Sequence, residues 1–130
     1  MVAINLANQH GSEGALGRAY GEQAERYGAS RRGLRLVQFD FHAQCGATRY
    51  DRLELLWADI GGDVGRHGFF LDPAPGAPGS ARTQTGVLRI NCVDCLDRTN
   101  VVQAWAARRQ LEAALAARLP RTVRKAKRPV

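Results

Sequence analysis

The stretch that decides the fold reads Arg89-Ile90-Asn91-Cys92-Val93-Asp94-Cys95-Leu96-Asp97-Arg98-Thr99-Asn100-Val101-Val102-Gln103. It follows a short strand pattern, Val87, Leu88 and Ile90, and opens the run Val101, Trp105, Leu111, Leu115 and Leu119, a long alanine-rich helix stopped by Pro120. A cysteine leaving a strand and an arginine entering a helix beyond five intervening residues is an arrangement that closes a loop around a phosphate. Loop N–H groups turn inward, the helix N-terminus adds unpaired donors and positive potential, and Arg98 offers a planar fork for two phosphate oxygens. The same positive surroundings favour the thiolate of Cys92, the form that attacks phosphorus. Thr99 is placed to hydrogen-bond that sulfur, and Asn91, Val93, Cys95, Leu96 and Asn100 make up the rest of the substrate-facing loop.

Attack on a phosphate ester expels an alkoxide, which needs a proton donor. Asp94 and Asp97 lie inside the loop and are the nearest candidates, Asp94 the preferred one. Asp40 and His42, at the end of another strand pattern, are alternative donors or headgroup contacts, although bonding to loop backbone is the commoner role for such residues. The reaction would run through a phosphocysteine and then water, requiring no metal or cofactor. Cys92 and Cys95 also form a Cys-x-x-Cys, but zinc needs four ligands and no second pair exists. A redox role is disfavoured by Asp94 between the two thiols and leaves Arg98 and Thr99 without a task. Cys95 reads as a packed loop residue and Cys45 as a small buried hydrophobe.

Outward from this segment the chain alternates strands and helices. Val2, Ile4 and Leu6 suggest a strand, followed by a polar turn and a helix through Leu16, Tyr20 and Tyr27. Residues 34–41 alternate as a strand buried mostly on one side. From Asp51, a candidate N-terminal cap, the positions Leu53, Leu56, Trp57, Ile60 and Val64 put one apolar face on a helix. Trp57 and Trp105 lie on apolar helical faces and read as core. Residues 72–85, rich in Pro and Gly, read as a flexible loop with nothing to nucleate regular structure. The expected architecture is an α/β layer fold, a sheet flanked by helices with the phosphate-binding loop between strand and helix.

With 130 residues, 45% hydrophobic and 24% charged, the chain is sized for one core and one domain. Three cysteines at these spacings exclude a disulfide-stapled secreted scaffold. No apolar run is long enough to cross a membrane and no signal-peptide pattern opens the chain, so it reads as soluble and cytoplasmic. The net charge of +7 is unevenly placed: residues 1–107 hold 11 basic and 11 acidic positions, and the remainder 8 basic and 1 acidic. The densest part, Arg121, Arg124, Lys125, Lys127 and Arg128, forms a basic tail over 121–130 suited to an anionic membrane leaflet. Nucleic acid is not an expected partner.

The extended string around Cys92 resembles the catalytic signature of the Sac-domain phosphoinositide phosphatases. Phe39-Asp40-Phe41-His42, followed by Cys45 and by Arg49-Tyr50-Asp51-Arg52, is similar to that family's FDFH segment; Asn5 and Leu6 through Gln9, Gly11, Ser12 and Glu13 resemble its NLxxQxGSE stretch. His10 stands where the family usually has Lys, and Tyr50 where it usually has Trp. The resemblance implies removal of phosphate from phosphatidylinositol phosphates at cytosolic membrane surfaces, with Cys92 as nucleophile and Arg98 as phosphate-binding residue. It also implies that residues 1–120 correspond to the carboxyl part of a longer catalytic domain. An incomplete sheet would then call for a protein partner covering the missing half. The alternative is a catalytically inactive module that binds anionic phospholipid or a protein partner.

Overall fold

Three four-residue strands, β1 (Val2–Asn5), β2 (Arg35–Gln38) and β3 (Leu88–Asn91), pair in parallel in the order β2-β1-β3. The computed structural model describes residues 1–30, 33–73, 75–76 and 78–118. Helix α1 (Gly11–Ser30) connects β1 to β2. The short α2 (Phe41–Cys45) and α3 (Leu53–His67) lie between β2 and β3, and α4 (Asp97–Arg118) follows β3. This is an α/β fold with a small parallel sheet flanked by helices, and it is compatible with an incomplete domain. Among the described residues no helix is long and apolar enough to cross a membrane. Leu119, Pro120 and the basic positions of 121–130 lie outside the described residues.

Strand alternation divides the two faces of the sheet. Ile4 is in register with Val37 and Ile90, and with Val2 these side chains join Leu53, Leu56, Ile60 and Val64 of α3 and Val102 of α4 in one buried cluster. Burying each such aliphatic side chain contributes about 1.5–3 kcal/mol. On the opposite face Asn5 aligns with Gln38 and Asn91, and the three amides form a ladder. Asn5 Nδ2 donates to Gln38 Oε1 at 2.8 Å, and Asn91 Nδ2 donates to Asn5 Oδ1 at 3.0 Å. Helix α1 covers this row closely because it presents glycine there: a Cβ on Gly17 would sit 3.4 Å from Asn5 Nδ2, and one on Gly21 3.4 Å from Gln38 Nε2.

Because β1 is central, α1 and α4 leave adjacent strand ends and pack on opposite faces. The crevice at such a reversal, outside the carboxyl ends of the strands, is where open α/β sheets hold ligands. The Cys92 loop starts there.

Several local expectations are corrected. Asp51 does not cap α3. It lies in a 3-10 turn (Tyr50–Arg52) whose Tyr50 and Asp51 carbonyls accept the Leu53 N–H, so backbone acceptors do the work of a side-chain cap. Residues 72–85 are not structureless: Leu71 and Arg82 exchange both backbone hydrogen bonds, at 2.9 and 3.0 Å, and Pro78–Ser80 form a 3-10 turn. The apolar stripe of α4 is used only in its first half. Val102 is fully buried, whereas Leu111 and Leu115 are 57% and 47% exposed, because α4 outruns a sheet only four residues long. Trp57 and Trp105 are partly buried rather than central, edge to face at 5.6 Å against the core.

Candidate active site

Cys92 follows β3 directly and is buried. Its sulfur accepts from Thr99 Oγ1 at 3.2 Å and its thiol donates to Asp94 Oδ1 at 3.2 Å. The same Asp94 oxygen accepts the Leu96 N–H at 3.0 Å, an Asx-type turn two residues long. Cys95 closes that turn with a left-handed backbone, φ 57°, and its thiol points at the Cys92 carbonyl, 3.7 Å away. The Leu96 N–H, and then the Cys92 thiol, hold the Asp94 carboxyl below the usual carboxylate range. As arranged, Asp94 is an ionised acceptor beside the sulfur.

Asp97 opens α4, where a negative side chain is favoured by the unpaired N–H groups of the first turn. Val93, Asp94, Cys95, Leu96 and Asp97 form an exposed arc in front of Cys92, and the Asn100 N–H bonds back to the Leu96 carbonyl at 2.9 Å. Arg98 turns inward. Its Nη1 donates to Glu13 Oε2 at 2.9 Å and to the Leu6 carbonyl at 3.4 Å, and its Nη2 donates to Glu13 Oε1 at 3.1 Å. Glu13, in the first turn of α1, also accepts the Asn8 N–H at 2.8 Å. Arg98 first, then Asn8, holds the Glu13 carboxyl below its ordinary range, and Glu13 in turn raises the affinity of Arg98 for its proton.

Comparison with curated relatives is consistent across kingdoms. Over 111 residues, 85% of this chain and 18% of the relative, the chain is 41% identical to phosphoinositide phosphatase SAC8 of Arabidopsis thaliana. Over 114 residues, 88% of this chain and 19% of the relative, it is 42% identical to phosphatidylinositol-3-phosphatase SAC1 of Drosophila melanogaster. The chain is a homologue of one segment of the Sac-domain phosphoinositide phosphatases. It spans less than a fifth of the length of these relatives. Phosphatidylinositide phosphatase SAC2 of Danio rerio is 40% identical over 111 residues, 83% of this chain and 9% of the relative. No protein-family model matches the chain.

Within this Sac-type segment, the residues singled out from sequence fall into two joined groups. Asp94 and Thr99 both reach the Cys92 sulfur, and the Leu96 amide holds Asp94 in place beside it. Asp40 and His42 converge instead on the turn after β1. Asp40 Oδ2 accepts the Gln9 N–H at 2.9 Å while its Oδ1 caps α2 at Ala43 N, and His42 Nδ1 lies 2.9 Å from Asn8 Oδ1. They reach the Arg98 neighbourhood through Asn8 and Glu13, not through the Cys92 loop. Asn91 directs its side chain into the amide ladder, where Arg89 Nη1 donates to its Oδ1 at 2.8 Å.

Glu13 is the residue that spacing alone did not single out as part of the site. An acidic side chain in a first helical turn is ordinarily a dipole partner, and nothing local announces an arginine 85 residues away. A cavity of about 220 Å³ opens beside the Asn8 and Gln9 turn, lined also by Asn5, Ala7, Arg18 and Gln38; neither Cys92 nor Arg98 lines it. Among the described residues no three His, Cys, Asp or Glu side chains are grouped to hold a metal ion.

Proposed function

We propose that this segment carries the phosphoryl-transfer site of a phosphoinositide phosphatase, hydrolysing phosphate monoesters of phosphatidylinositol phosphates through a phosphocysteine. The observation that supports it is the Thr99 hydroxyl donating to the Cys92 sulfur at the carboxyl end of β3, one residue from the guanidinium-bearing Arg98. Cys92, as thiolate, attacks phosphorus; an S–P bond forms and the P–O bond to the inositol breaks. The departing alkoxide takes a proton from Asp94 or Asp97. Asp94 becomes a donor by taking the Cys92 thiol proton across their 3.2 Å contact as the dianion binds, since nearby negative charge raises its proton affinity. Water then attacks the phosphocysteine and gives its proton to the carboxylate that served as acid; the S–P bond breaks, inorganic phosphate leaves, and the thiolate is regenerated. The scheme uses no cofactor.

On the same reading residues 1–120 are the carboxyl part of a Sac catalytic domain, and 121–130 a basic tail that attaches it peripherally to an anionic leaflet at the cytosolic face. Val93, Cys95, Leu96 and Asn100 line the phosphate, and a partner chain or further sequence continues the sheet. Phosphate release from short-chain phosphatidylinositol phosphates tests this against Cys92→Ser: release that stops on substitution is the expected result, and release that survives it defeats the cysteine mechanism.

A second reading, an inactive module binding anionic lipid or a protein, is favoured by one feature. Carboxylates already occupy both reactive groups, Asp94 at Cys92 and Glu13 at Arg98. Absence of release from the unsubstituted chain, with retained binding to anionic vesicles, would select it.

A further inference from the structure

Arg98 has five N–H donors, and they are used unevenly. Both Nη1 hydrogens are engaged, by the Leu6 carbonyl and Glu13 Oε2, and one Nη2 hydrogen by Glu13 Oε1. Among the described residues no acceptor meets Nε–H or the second Nη2 hydrogen. These two point the same way along the outer edge of the guanidinium plane. Glu13 therefore takes the end-on fork and leaves a complete side-on fork, with the spacing that two phosphate oxygens require.

We propose that Glu13 is the positioning residue that presents this Nε–Nη2 fork of Arg98 to the substrate phosphate. The inference rests on the phosphatase reading above and adds to it the residue on which Arg98 depends. A free arginine samples many rotamers. This one is fixed in advance, because Glu13 is itself held by the Asn8 N–H and by its place in the first turn of α1. The pair is largely withdrawn from water, with side chains 13% and 22% exposed, so breaking it by removing Glu13 leaves a part-buried guanidinium without its ion-pair partner. The carboxylate also subtracts positive charge from the site. Its benefit must therefore appear in geometry and turnover more than in attraction for the dianion.

The test uses the full chain, Glu13→Gln, Arg98→Lys and the double variant, with circular dichroism as the check on folding and Glu13→Asp as a second probe of the same position. Titrating inorganic phosphate, the Arg98 Nε–H resonance is expected to move in the unsubstituted chain and to broaden without moving in Glu13→Gln. In hydrolysis of short-chain phosphatidylinositol phosphates, Glu13→Gln is expected to lower kcat about ten- to a hundredfold, the scale of a misplaced reacting group, with KM nearly unchanged. It is expected to add nothing further in the Arg98→Lys background.

An unchanged phosphate response in Glu13→Gln, or an equal loss in the Arg98→Lys background, overturns the proposal while leaving the phosphatase reading intact. Loss of folded structure in both Glu13 variants makes the residue structural and overturns it as well. No resonance shift and no hydrolysis in the unsubstituted chain removes the phosphatase reading, and this proposal with it. If the chain binds phosphate without hydrolysing it, the resonance comparison alone decides.

Discussion

Thr99 Oγ1 donates to Cys92 Sγ at 3.2 Å between two buried residues, so the sulfur has a donor whose alternatives in solvent are closed off. A hydroxyl aimed at sulfur stabilises the thiolate, and hydrogen bonds to charged groups contribute about 1.5–3 kcal/mol. Thr99→Val removes the donor and keeps the shape. Alkylation of Cys92 by iodoacetamide, followed on its own peptide by mass spectrometry, is expected to slow about tenfold or more. Thr99→Ser should keep most of the rate; equal slowing in both variants would assign the effect to packing.

Asp40 links two segments with one carboxylate, taking the Gln9 N–H on one oxygen and capping α2 on the other. Loss of an N-cap costs about 0.5–2 kcal/mol, and here the turn after β1 is released as well. Asp40→Ala is therefore expected to fall in the upper part of that range by urea unfolding, with faster amide exchange at Gln9. Asp40→Asn, still a good cap, should recover most of the stability. An unchanged Gln9 exchange rate in Asp40→Ala would show that the turn is held by other contacts.

Acid should weaken the Glu13 and Arg98 pair with a definite sign. The folded-state Glu13 carboxyl titrates below its ordinary value, so its contribution to stability is present above that value and lost as pH falls through the lowered one. Urea midpoints of the unsubstituted chain are thus expected to decline below about pH 4, the ordinary carboxylate range. Asp94 titrates with the same sign, so Glu13→Gln should flatten only part of the decline. The variant is expected to be less stable at pH 7 and to converge with the parent in strong acid. A constant difference between the two curves would contradict the assignment.

Elements with a strong period are legible in the sequence. The apolar face of α3 and the passage from strand through the Cys92 loop into α4 follow from spacing, because packing against a sheet demands those intervals. The buried face of α1 is not: Leu16 and Tyr27, which suggest the helix, lie exposed, and the side over the row of amides carries Gly17 and Gly21, so it buries hydrogen bonds rather than hydrocarbon. The site was legible to the same degree. Cys92, Arg98 and Thr99 lie within eight residues of each other, whereas Glu13, Asn8 and Asp40 join them only through parallel pairing of β1 with both neighbours.

Two helical glycines should respond oppositely to alanine. Elsewhere in a helix the change stabilises by roughly 0.8–1 kcal/mol, because alanine has the better propensity. Gly65 in α3 has open space around the position of a Cβ, so Gly65→Ala is expected to gain stability of that order. At Gly14 a Cβ would lie 2.6 Å from the Gln9 carbonyl oxygen, a backbone atom that no rotamer change can move aside. Gly14→Ala is therefore expected to lose about 1–3 kcal/mol, the scale of an overpacked interior. Displacing Gln9 also pulls its N–H from Asp40, so the Gln9 amide should exchange faster in this variant while α3 amides stay as they were. Urea unfolding of the two variants side by side checks the sign; stabilisation by Gly14→Ala would show that the turn after β1 yields freely, and would weaken its assigned role in holding Glu13 and Arg98.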